Sequence, residues 1–136
     1  MVYIYDLEVF PNFFLAGFLP KNEDIPIFFE ISEWRNDAPQ LKEFLESDNL
    51  QLVGFNNLKY DYPIIHYLLT ANVLEIDDVA FLTNFIYNKS SSLIESEYGS
   101  GFGTIPEWEW KIPQLDLMRI HHLDNRAKSA SLKDIE

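Results

Sequence analysis

The chain has 136 residues, 47% of them hydrophobic, and carries 22 acidic against 10 basic side chains for a net charge of −12. A chain of this size suits one domain, residues 1–136, able to bury about two-thirds of its unfolded surface. The absence of cysteine excludes a disulfide framework and a thiolate metal site. The lack of any long apolar segment argues against secretion or a membrane span, so a cytoplasmic setting is expected.

The first ten residues, Met1-Val-Tyr-Ile-Tyr-Asp-Leu-Glu-Val-Phe10, are rich in β-branched and aromatic types and read as a strand. Asp6 and Glu8 sit two apart within it. Residues i and i+2 of a strand share a face at about 7 Å spacing, near enough for two carboxylates to converge on divalent cations. The alternative is that both lie past the strand end in solvent. Phe10-Pro-Asn12 is a turn into a second strand, Phe13 to Leu19, and Pro20 to Asp24 turns into a third, Ile25 to Ile31, giving three antiparallel strands. Asn36-Asp37-Ala-Pro then starts a helix to about Ser47, with Leu41, Phe44 and Leu45 on one face.

Gln51 to Phe55 reads as a buried strand that pairs parallel with the first through this crossover. After a polar turn, Asp61 stands at the start of a helix running from Tyr62 to Ala71, with Pro63 in its first turn. This topology puts Asp61 beside Asp6 and Glu8 at one sheet edge; the plainer account makes it a helix cap. A longer helix follows from Ile76 to about Ile94, with Val79, Leu82, Phe85 and Ile86 facing the core.

From Glu97 to Pro113 the chain turns to Gly, Pro and Trp, a long surface excursion. Trp108 and Trp110 fit sheet-edge packing best, ahead of a hairpin or a base-stacking platform. Gly99, Gly101 and Gly103 lead from no strand into a helix, so they form no phosphate cradle. Lys111 to Ile120 is the last strand and contains Asp116. His121 and His122 follow, suited to phosphate contact rather than to joint metal ligation. Lys111, Arg119, Arg126, Lys128 and Lys133 concentrate positive charge towards the C-terminal end, which softens the poor match of an acidic chain to a polyanion.

Asp6-x-Glu8 closing a first strand, followed by Asn56-x-x-x-Tyr60-Asp61 opening a helix, resembles the first and second motifs of the DEDD 3′→5′ exonuclease superfamily. The likeness is greatest to the proofreading domains of family B DNA polymerases, particularly those of bacteriophages. It extends through Gly54-Phe-Asn-Asn-Leu-Lys-Tyr-Asp61 and the Gln114-Leu-Asp-Leu-Met-Arg119 strand. The resemblance implies a ribonuclease H-like α/β fold, a mixed sheet of three antiparallel strands plus parallel strands flanked by helices. It implies Asp6, Glu8 and Asp61 as catalytic metal ligands for two Mg²⁺ or Mn²⁺ ions. It also implies Phe10, Asn56, Asn57 and Tyr60 as contacts to the 3′ end of single-stranded DNA, and Asp116 as a supporting group or an outlying ligand.

The superfamily's third motif, Tyr-x-x-x-Asp or a His with an Asp five residues on, has no counterpart after Tyr98, His121 or His122. Ser131 to Glu136 resembles a helix start, so the domain is expected to be C-terminally incomplete. Its last motif would then lie downstream or come from a polymerase domain or partner chain. The competing expectation is a catalytically incomplete acidic module that binds proteins or imitates nucleic acid.

Overall fold

The computed structural model describes residues 1–97 and 104–118. The expectations for Gly99 to Gly103, His121, His122, the basic residues from Arg119 onward and the terminal helix start fall outside them.

Alternation sets the first sheet elements. In β1 (Val2–Phe10), Tyr5 and Leu7 are buried while Ile4, Asp6, Glu8 and Phe10 face outward. The antiparallel neighbour β2 (Phe13–Pro20) alternates likewise, burying Phe14, Ala16, Phe18 and Pro20. β3 (Ile27–Ser32) pairs antiparallel with β2. It starts later than the sequence pattern indicates. Pro26 has no N–H to give a ladder, and Ile25 remains 78% exposed.

An unforeseen two-residue strand, β4 (Arg35–Asn36), folds back on β3. Its turn is held by the Ser32 hydroxyl, which accepts the Trp34 N–H at 3.1 Å. Helix α1 (Ala38–Leu45) follows, its Ala38 N–H bonded to the Asn36 side chain at 3.1 Å. The Asp37 carboxylate is turned away, accepting the Glu30 N–H and pairing with Arg35.

β5 (Gln51–Gly54) lies parallel to β1, with Val2, Tyr3 and Ile4 opposite Gln51, Leu52 and Val53. Helix α2 (Asp61–Thr70) leads to a single 3₁₀ turn (Val73–Glu75) and then to α3 (Val79–Glu97). The long helix begins at Val79, later than the Ile76 that the apolar pattern indicates, its start marked by the Asp78 carboxylate, which accepts the Phe81 N–H at 3.0 Å. β6 (Gln114–Asp116) closes the sheet parallel to β5. It is much shorter than the expected Lys111 to Ile120 strand: Pro113 limits it on one side, and Leu117 and Met118 already turn helical on the other.

The result is a six-stranded mixed sheet in the order β4-β3-β2-β1-β5-β6. Tyr5, Leu7, Phe14, Phe18, Phe29 and Ile31 from one sheet face join Leu41, Ile64, Ile65, Leu68, Leu82 and Ile86 from the helices in one core cluster. Phe18 is its aromatic centre, 4.6 Å from the Phe44 ring and 5.8 Å from that of Phe29. The opposite face keeps Ile4, Phe28 and Leu115 about half exposed.

A candidate carboxylate site

The parallel pairing of β1 with β5 decides where the acids meet. Both strands run the same way, so the outward Asp6 and Glu8 near the end of β1 lie at the edge from which β5 feeds the turn to α2. That turn, Phe55 to Tyr60, folds sharply: Asn56 has φ 58°, and the Tyr62 N–H returns to the Asn57 carbonyl at 2.8 Å. Asp61 enters as the first residue of α2 and is buried.

Asp61 is not a helix cap, because Tyr60 occupies the cap position and Asp61 is already helical. Burial raises its carboxyl first, and then the negative fields of Asp6, Asp116 and Glu8, to a pKa of about 8 from 3.8. Among the described residues, no basic side chain and no hydrogen bond counters these influences. Asp6 is also raised, by partial burial, despite the Leu7 N–H that its carboxylate accepts at 3.0 Å. The Tyr60 phenol is raised by burial and then by Asp61, Glu8 and Asp6, so it lies within the fields of the same three acids. Among the described residues, no group of three or more His, Cys, Asp or Glu side chains is drawn into a cation-holding cluster. What the acids share is electrostatic reach.

The remaining sequence-predicted residues divide. Phe10, 52% exposed, stands on the outward face of β1 with Asp6 and Glu8, its ring edge-on to Phe13 at 6.2 Å. Tyr60 presents a half-buried ring, but its hydroxyl is engaged by Ser90 at 2.6 Å. Asn56 is half-exposed on the turn. Asn57 is buried, its side chain donating to Gln114 at 2.9 Å. Two adjacent asparagines in a turn must face different ways, and close packing over Gly54 selects Asn57 for the interior.

Asp116 is buried and accepts three backbone N–H groups, from Asn56 at 2.8 Å, Met118 at 3.0 Å and Leu58 at 3.3 Å. With both oxygens so engaged it suits a supporting role. Sequence reasoning missed Gln114, Tyr5 and Ser90. The Gln114 Oε1 accepts both the Tyr5 hydroxyl at 2.8 Å and the Asn57 amide, a role signalled only by its i−2 relation to Asp116.

The two tryptophans also divide. Glu107–Glu109 form a 3₁₀ turn, not a hairpin, leaving Trp108 85% exposed. Trp110 packs on the core, its indole donating to the Ile105 carbonyl at 3.0 Å. A surface groove of about 710 Å³ adjoins the β1–β2 turn, lined by Pro11, Asn12, Asp78, Val79, Thr83 and Asn84 among others. A cleft of about 720 Å³ between Leu45, Gln51, Lys111 and Pro113 opens where β5 begins, the opposite end of that strand from Asp61.

No family model, curated protein or solved structure matches the chain. No helix among the described residues is long and apolar enough to cross a membrane.

Proposed function

We propose that the chain is a ribonuclease H-like nuclease domain of the metal-dependent 3′→5′ exonuclease type, acting on the 3′ end of single-stranded DNA, of the lineage that proofreads for phage DNA polymerases. The observation that carries this reading is Asp61: a buried carboxylate without a protein donor among the described residues, in the fields of Asp6, Asp116 and Glu8. An arrangement of like charges in low dielectric is costly unless a cation compensates it. The strand order, four antiparallel strands (β4-β3-β2-β1) continued by two parallel ones (β5 and β6), supports the fold assignment.

The donor chemistry fits hard divalent cations. Carboxylate oxygens suit Mg²⁺ or Mn²⁺, and the chain has no cysteine that would favour zinc. Asp6, Glu8 and Asp61 would hold the ions. A bound pair of such ions supplies an activated water and charge stabilisation at the leaving 3′ oxygen. The protein's own part is placement. Phe10 offers an exposed ring beside the acids on which a terminal base stacks, Asn56 a polar edge on the turn, and Tyr60 a ring anchored by Ser90. The fourth carboxylate of the superfamily belongs, in this reading, to a polymerase domain or a partner chain.

The test is incubation of the purified chain with 3′-labelled single-stranded DNA and Mn²⁺, with Asp6→Ala and Asp61→Asn in parallel. Loss of label from the 3′ end by wild type alone supports the reading; equal degradation by all three, or no Mn²⁺ binding by wild type, sinks it. The net charge of −12 favours a second reading, an exonuclease-fold module that binds proteins or imitates nucleic acid without cutting. Mn²⁺ binding without cleavage at any concentration would support that alternative.

A further inference from the structure

Among the described residues no hydrogen bond fixes the Asp61 carboxyl group, so its position is inherited from the backbone that carries it. That backbone is gripped from β6. Asp116 Oδ1 takes the Asn56 N–H and Oδ2 the Leu58 N–H, two donors of the same turn. One of them belongs to Asn56, whose φ of 58° is a left-handed conformation that asparagine tolerates better than most L-residues. Two residues earlier, on the same face of β6, Gln114 holds the Asn57 amide. The Asn57 side chain is in turn pressed over Gly54, which pairs with Asp116 across the sheet.

We propose that Asp116 is a positioning residue: by tying the Asn56 and Leu58 amides to β6 it sets where the Asp61 carboxylate stands relative to Asp6 and Glu8. The inference rests on the cation-site reading above. Its mode of action is geometric. The two oxygens must sit where the two amides point, and the charge that Asp116 adds to the cluster is secondary.

The experiment measures Mn²⁺ affinity by electron paramagnetic resonance of the free ion, for wild type, Asp116→Ala, Asp116→Asn, Asp116→Glu and Leu115→Ala, with Asp61→Asn as the ligand control. Thermal midpoints and amide exchange at Asn56 and Leu58 are recorded on the same samples. Removing a group that orients a ligand costs roughly 10–100-fold in metal affinity. Asp116→Ala is expected to weaken Mn²⁺ binding within that range and to speed exchange at both amides. Asp116→Asn keeps one acceptor oxygen and turns an NH₂ against the other backbone donor, so it is expected to hold one of the two amides and to bind Mn²⁺ between wild type and Asp116→Ala, whereas Asp116→Glu, which keeps the charge but displaces both oxygens, is expected to bind like Asp116→Ala. Leu115→Ala, on the other face of β6, is expected to bind as wild type does.

An affinity in Asp116→Ala within twofold of wild type overturns the inference while leaving the cation site intact. The reverse ranking, Glu like wild type and Asn like Ala, also overturns it, in favour of a charge effect. Failure of wild type to bind Mn²⁺ takes down the cation site and the inference together. Should Asp116→Ala not fold, the ranking of Asn against Glu decides.

Discussion

Asp61 on α2 is buried within the field of Asp6 on β1, although their segments are joined only through a crossover and a turn. The consequence is measurable. A carboxyl raised from 3.8 to about 8 keeps its proton more tightly in the folded than in the unfolded chain. Its contribution to stability is complete below the unfolded value and is lost as pH rises towards 8. In the absence of divalent cations, Asp61→Asn is therefore expected to be more stable than wild type at pH 8 by on the order of a few kcal/mol, the gap closing towards pH 4. Urea unfolding across that range checks it. A pH-independent difference would count against the assignment.

Cations should reverse this cost. Added Mn²⁺ at 100-fold above its Kd would stabilise the folded chain by about 2.7 kcal/mol if the unfolded chain does not bind it. The thermal midpoint of wild type at pH 8 is expected to rise by several degrees, and that of Asp6→Ala or Asp61→Asn to move much less. Differential scanning fluorimetry with Mn²⁺ and Ca²⁺ makes the comparison, with NaCl matched for ionic strength.

Gly54 admits no side chain. A Cβ there would stand 2.8 Å from Asn57 Cβ and 2.9 Å from Asn57 Cγ, both closer than real contacts allow. Gly54→Ala is expected to cost about 1–3 kcal/mol by displacing Asn57 from Gln114. Denaturant titration gives the magnitude, and weaker Mn²⁺ binding in the same variant would show that the displacement reaches Asp61.

Tyr62 joins α2 to the segment before β6. Its hydroxyl accepts the Lys111 N–H at 2.7 Å and shares a hydrogen bond with His66 Nδ1 at 3.0 Å. Tyr62→Phe leaves both groups without that partner and is expected to cost about 1–3 kcal/mol. Burial, then Lys111, holds the His66 imidazole below its ordinary value. A lowered imidazole adds stability above the unfolded value of 6.5 and loses it as pH falls through the folded one. The acid limb of the stability curve is therefore expected to flatten in His66→Gln, read from thermal midpoints below pH 6.5.

Much of this was legible in the sequence because apolar alternation is a strong signal where one face is buried. Val2 to Pro20 declares a hairpin, and the outward Asp6 and Glu8 stand out against it. Asp61 was legible as a junction residue, but whether it capped the helix or opened it depended on the Asn56 backbone, whose positive φ leaves no periodic trace. The short β4 was hidden for the same reason, since two residues carry no period. Asn56 and Asn57 were grouped as substrate contacts because neighbouring amides look alike in sequence, whereas in the fold Asn57 is the one packed over Gly54. The grip of Asp116 on the turn spans 60 residues of sequence, a relation that no local pattern encodes.

The outward face of the sheet, with Ile4, Phe28 and Leu115 about half exposed, is greasy ground held apart from its own copies mainly by a net charge of −12. Such repulsion reaches about 30 Å at 0.01 M salt and only about 8 Å at 0.15 M. Colloidal behaviour therefore follows ionic strength: light scattering of the purified chain grows as salt is added at constant pH and temperature, and replacing Phe28 with a lysine on that face suppresses the growth.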